Sequence, residues 1–180
     1  GEFSQGIFLD TGSFYLLKMD QSFNVQWMKS IVVHTPTSQS NISQSRLDIG
    51  ADGSLYISGY YQDSLKIGGQ TLYANNQSGY AGFVAKYDDQ GNFAWVSEFK
   101  SSLGGNVDGL KVGKNAIYLG GGATNGLIVG SDTLQYPGNG GPYIAKIDLN
   151  GNGIWARPYI GNAIALSSDE SEVWATGTLF

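Results

Sequence analysis

The stretch KYDDQGNFAW at 86–95 returns as KIDLNGNGIW at 146–155, and a looser copy, KMDQSFNVQW, stands at 18–27. Trp27, Trp95 and Trp155 therefore recur at intervals of 68 and 60 residues, as do Lys18, Lys86 and Lys146. A second phrase runs out of phase with the first: SLYISG at 54–59, AIYLGG at 116–121 and EVWATG at 172–177. Gly59, Gly121 and Gly177 close it. A third phrase occurs twice, LKIGGQTL at 65–72 and LIVGSDTL at 127–134. Three motifs kept in order at a common spacing make a true repeat, and repeated units bury their apolar faces on one another.

The units read as β-structure. Gly is 27 of 180 residues and Pro only 4, with 13% aromatics; Gly supplies turns, and aromatics suit pleated, half-buried surfaces. No long segment has a 3.6-residue period. One unit is predicted as strands at 47–50, 54–61, 80–88 and 93–99. Between the second and third, LKIGGQTLYA reads as a Gly-punctuated excursion or small ribbon. The next unit gives 110–113, 115–121, 142–148 and 153–159. DQGN is a hairpin turn in which Gly91 takes positive φ at little cost. Phe23 stands where the other copies have Gly91 and Gly151, so the first turn is expected to differ, or Asn24 to carry the unusual dihedral. The polar part of IVVHTPTSQSNISQSR is expected to be an extended loop.

Four short antiparallel strands per unit describe β-propeller blades. The expected fold is all-β, about three blades' worth, in one repeat domain over 1–180. It comprises a half blade 1–46, full repeats 47–108 and 109–162, and a closing half blade 163–180. A sandwich of hairpins and a β-solenoid are the competing folds. Three blades are too few to close a ring. The chain is thus expected to be a segment of a propeller of six to eight blades, the favoured case, or to close a six-bladed ring with a second copy.

TLYANNQSGYAGFVAKYDDQGNFAW and TLQYPGNGGPYIAKIDLNGNGIW resemble the bacterial propeller repeat known as the SBBP repeat. Thr71, Leu72, Gly82, Phe83, Val84, Ala85, Lys86, Tyr87, Asp88, Gly91, Asn92 and Trp95 carry the resemblance. In the next copy Thr133, Leu134, Tyr143, Ile144, Ala145, Lys146, Asp148, Gly151, Asn152 and Trp155 do so. The usual Asp ahead of the aromatic is missing, with Ala81 and Gly141 in that neighbourhood. The similarity implies an extracellular or cell-surface bacterial protein, with the periplasm as an alternative, and implies no activity.

Chemistry is sparsely signalled. Formal charge is −5 without a Lys/Arg cluster, which disfavours nucleic acid and anionic membranes. No apolar run reaches the ~18 residues of a membrane span. Cysteine is absent, and His34 is the one histidine, in a polar loop. DLNGNG at 148–153 starts like a calcium loop but has Tyr159 at the twelfth position, and reads as a turn. The Gly-rich runs lack a phosphate-binding pattern. Asp88 and Asp148 are repeat-equivalent, so they are expected to be turn acceptors rather than a facing catalytic pair. Trp27, Trp95 and Trp155, with Gly59, Gly121 and Gly177, are the expected structural anchors. Tyr73, Tyr80 and Tyr136, flanked by amides and glycines, are the candidate ligand contacts. No catalytic residue, metal or cofactor is expected. The expected function is a binding or scaffold module presenting rim loops to a protein or glycan. The alternatives are a glycan hydrolase or lyase with acids in a central pocket, and a purely structural or assembly domain.

Overall fold

The computed structural model describes residues 13–32, 43–74, 80–136, 140–159 and 163–176. Within them the protein is all-β, a set of small antiparallel sheets of two to four strands. The first hairpin is β1 (Ser13–Met19) and β2 (Val25–Val32). A complete four-stranded sheet follows, built of β3 (Ser43–Ile49), β4 (Leu55–Gln62), β7 (Tyr80–Tyr87) and β8 (Phe93–Phe99) in that order. The ribbon β5 (Ser64–Ile67) and β6 (Gln70–Tyr73) leaves this sheet and joins the edge of β2 through Val32 and Lys66. The second complete sheet orders β9 (Gly109–Val112), β10 (Ile117–Ala123), β13 (Gly141–Ile147) and β14 (Gly153–Pro158), with β11 (Leu127–Val129) and β12 (Asp132–Leu134) as its ribbon. The chain continues into a lone pair, β15 (Ala163–Leu166) and β16 (Val173–Thr176).

The two complete sheets pair in the same register. Tyr56 lies opposite Lys86 and Gly59 opposite Phe83; Tyr118 lies opposite Lys146 and Gly121 opposite Tyr143. Lys18, Lys86 and Lys146 each face the tryptophan of their own hairpin, and each is followed by a bulge.

The turns after these bulges explain why the phrase is written so consistently. Asp88 accepts the backbone N–H of Gln90 (2.9 Å) and Asn92 (2.7 Å) on Oδ1, and the Asn92 side-chain amide (2.9 Å) on Oδ2. Asp20 and Asp148 do the same within their turns. Gly91 and Gly151 sit at φ 74° and 89°, and Phe23 sits at φ 63°. The expectation of a different first turn, or of strain shifted to Asn24, is corrected: Phe23 itself takes the left-handed conformation. The Asp20 network over-determines the turn. Phe23 is 81% exposed, so its Cβ meets no neighbour of the kind Gly91 has, where a Cβ would stand 3.0 Å from the Trp27 ring. A second correction concerns the polar stretch before Leu47: the backbone from Ser43 is already paired with β4 rather than looped. His34 and Gly177 lie outside the described residues.

The central strands β4 and β7 are buried on both faces, which accounts for their near-continuous apolar runs, whereas Leu47 and Ile49 of the edge strand β3 are exposed. Ile57, Tyr61, Phe83, Ala85 and Tyr87 pack with Leu16, Leu65 and Ile67 on one side. Tyr56 and Val84 pack on the other with Leu110, Val112, Ile117 and Leu119 of the next sheet. Polar clamps fix the spacing. Asp48 Oδ2 accepts Lys111 Nζ (2.9 Å) and the Val112 N–H (2.7 Å) across the two sheets. Trp27 donates its indole N–H to Asp89 O (3.3 Å), and Trp95 donates its own to Leu149 O (3.2 Å). Each tryptophan thus ties one hairpin to the turn of the next.

Candidate functional site

The segment from Phe99 to Asp108 leaves β8 and crosses to the second complete sheet. It runs antiparallel along β10: Thr124 donates to Gly104 O (2.9 Å), Asn106 to Gly122 O (3.0 Å) and Asp108 to Gly120 O (2.8 Å). The run of three glycines at 120–122 permits this approach. A Cβ on Gly121 would stand 2.1 Å from the Asn106 carbonyl oxygen. Asn106 is held at every polar atom. Its Oδ1 accepts the Gly122 N–H (2.7 Å), its Nδ2 donates to Asp108 Oδ2 (2.6 Å), and its carbonyl accepts the buried Tyr143 hydroxyl (2.9 Å).

Above this scaffold lies a cleft of about 410 Å³, lined by Tyr60, Tyr80, Leu103, Asn106, Thr124 and adjoining glycine backbone. Tyr60 and Tyr80 form its aromatic wall, with centroids 5.6 Å apart and planes at 73°. Edge-to-face packing of this kind is a preferred arrangement for aromatic pairs.

Of the tyrosines expected to touch ligand, Tyr80 lines the cleft. Tyr136 is half-buried behind it: its hydroxyl donates to Pro142 O (2.7 Å), and its ring covers Gly141, a cleft residue. Tyr73 is 68% exposed at the end of β6 and is not part of the cleft. Tyr60, Leu103 and Asn106 were not legible as site residues, because strand β4 and a loop remote in sequence meet only through the sheet-to-sheet packing. The doublet Tyr60–Tyr61 just after Gly59 is the available signal: alternation sends Tyr61 into the core and leaves Tyr60 at the cleft.

Behind the cleft, Asp108 is buried. Burial pushes its carboxyl above the ordinary range, opposed by the nearby Arg46 and by the Asn106 hydrogen bond. Its Oδ1 and the Ser58 hydroxyl are buried without a hydrogen-bond partner among the described residues. The turn carboxylates are engaged elsewhere. Asn24, Asn92 and Asn152 hold Asp20, Asp88 and Asp148 below the usual carboxylate range. Asp132 is held low by Arg157 and by the Ala156 N–H. Among the described residues no three His, Cys, Asp or Glu side chains group as metal ligands.

Lys86 Nζ lies 5.2 Å from the Tyr56 ring centroid and Lys146 Nζ 5.3 Å from that of Tyr118. Trp155, with no further copy of its own Lys–Trp hairpin among the described residues, carries Arg157 over its ring at 5.6 Å. Gly59 and Gly121 are buried within β4 and β10. No family model matches the chain, and no curated protein matches it in sequence.

Proposed function

We propose that this chain is a non-catalytic binding module built of SBBP-type β-propeller blades, belonging to a secreted or surface bacterial protein, and that it holds a glycan in the Tyr60–Tyr80 cleft. The blade reading is supported by the two sheets β3-β4-β7-β8 and β9-β10-β13-β14, equal in order and register, joined by Trp95, and by the matching Trp27 contact that joins the first hairpin to the former. The observation that carries the binding reading is the aromatic wall set against an immobilised Asn106 and a glycine-lined floor. Sugars present alternating apolar faces and hydroxyls, which such a wall and rim complement. The carboxylates that an acid–base mechanism would draw on are engaged in turns and ion pairs, and Asp108 stands singly behind the cleft.

The test is calorimetric titration of the 180-residue chain with a panel of soluble bacterial and host oligosaccharides. Binding weakened about tenfold by Tyr80→Ala or Tyr60→Ala is expected, equivalent to about 1.4 kcal/mol of ring contact. Binding indifferent to both substitutions, or cleavage of the bound glycan, would overturn the reading.

A further inference from the structure

We infer that the apolar groove between the β1–β2 hairpin and the β3–β4 edge is the seat of the β15–β16 pair of a second copy of this chain, the two copies exchanging these pairs reciprocally in a closed dimer. The groove, about 780 Å³, is lined by Tyr15, Leu17, Met19, Leu47, Ile49 and Leu55, among others. Its exposed residues have buried counterparts one repeat on. Leu47 and Ile49 are 57% and 58% exposed, whereas Leu110 and Val112 at the same positions are 9% and 7%. Tyr15 and Met19 are 52% and 44% exposed; Phe83 and Tyr87 are 0% and 4%, Tyr143 and Ile147 both 0%. Leu110 and Val112 are covered by Tyr56 and Val84 on the inner strands of the preceding sheet, whereas Phe83 and Tyr87 are covered by Leu16 of the preceding hairpin and by Leu65 and Ile67 of its ribbon; the strand pair absent beside β1 is the one that would cover Leu47 and Ile49.

The missing strand pair is present on the same chain. Among the described residues β1 pairs only with β2, and β16 only with β15. Trp174 on β16 is 63% exposed, whereas Tyr56 and Tyr118 at its position are 1% and 9%. In both complete sheets a lysine of the third strand lies over the aromatic ring of the second. Lys18, which here donates to Asp89 O, and Trp174 are the two halves of that pair, carried on different edges. Within one copy β15 packs on β9, at the far end of the row of sheets from β1. Transferring the observed register sets Val173 opposite Met19, Trp174 opposite Lys18 and Ala175 opposite Leu17 of the other copy. It also directs the Trp155 indole N–H to the partner's Gln21 carbonyl, as Trp27 and Trp95 reach Asp89 and Leu149. Opposed edges of this kind join by β-augmentation. The inference does not depend on what the cleft binds.

The test is sedimentation equilibrium of the 180-residue chain, with cysteine trapping in a background that has no cysteine. The protein is expected to be a dimer. Oxidation of the double variant Leu17→Cys/Ala175→Cys should give covalent dimers, because directly opposed strand residues meet disulfide geometry. The out-of-register variant Leu17→Cys/Val173→Cys should not. Trp174→Ser alters a residue exposed in the single copy, so it should keep the strand circular dichroism while weakening the dimer at least tenfold. A monomer up to about 100 μM, where any Kd of functional strength would show, overturns the proposal. So does a dimer that neither cross-links in register nor responds to Trp174→Ser.

Discussion

Replacing Trp95 with alanine should cost far more than the same change at Trp155, although the sequence writes the two positions alike. Trp95 packs against the core between the complete sheets, meets Tyr56 edge-on at 6.1 Å and donates to Leu149 O. Truncation exposes or empties about 100 Å² of apolar contact, worth about 2.5 kcal/mol at about 25 cal/mol/Å². The lost ring pair and hydrogen bond add about 1 kcal/mol, for a total of about 3–4 kcal/mol. Trp155 has the Arg157 guanidinium over its ring, worth about 0.5–1 kcal/mol, and no further copy of its own hairpin to reach among the described residues. Its loss in the single copy should stay near 1 kcal/mol. Urea denaturation followed by circular dichroism, at protein concentrations shown to be monomeric, measures both. A cost below 1 kcal/mol at Trp95, or equal costs at the two positions in monomeric protein, refutes the view that each tryptophan acts by tying its hairpin to the next turn.

Three further expectations bear on other parts of the structure. Gly121→Ala drives a Cβ into the Asn106 carbonyl and displaces the Tyr143 hydroxyl, so a loss of about 3 kcal/mol is expected by denaturant titration. Phe23→Gly removes left-handed strain of about 1–2 kcal/mol and restores about 0.5–1 kcal/mol of unfolded-chain entropy, so stability should rise by about 0.5–1 kcal/mol. The acid response has two opposed parts. Asp20, Asp52, Asp88, Asp132, Asp148 and Asp169 are lowered in the fold, Asp169 to about 2, so their stabilisation is present above pH 4 and is lost as pH falls. Asp108 is raised, so the folded state holds its proton more tightly than the unfolded chain, and its contribution falls as pH rises from about 4 through its folded value. The melting temperature of Asp108→Asn should therefore gain on that of the parent between pH 3.5 and 7, and a constant difference would count against the assignment.

The repeated phrases made the strands legible, because hairpin turns and two-residue alternation are local. LKIGGQTL could be read as a ribbon for the same reason. Its docking on β2, a strand of the preceding hairpin, was not legible, because one backbone bridge between Val32 and Lys66 leaves no pattern in the side chains. Ser43–Arg46 looked like loop because polar residues at a sheet edge carry no apolar alternation. Propensity argues against a left-handed Phe23, whereas the Asp20 carboxylate dictates that dihedral. Tyr80 could be singled out from its amide-rich surroundings, but Tyr60 and Asn106 join it only once two sheets have met. Asn106 follows two glycines in a stretch without alternation, although its side chain organises the floor of the cleft.

The carboxylate-closed turn also bears on kinetics. Each of Asp20, Asp88 and Asp148 locks a hairpin whose strands are contiguous in sequence, so these three pieces can zip in about 1–10 μs, ahead of any contact that spans a unit. Pairing β4 with β7 must wait for the intervening ribbon to close its loop, a cost that grows only logarithmically with length. Lengthening the ribbons should therefore leave the refolding rate almost unchanged, whereas removing Asp88 should slow it, because β4 then pairs with a hairpin that is less often formed.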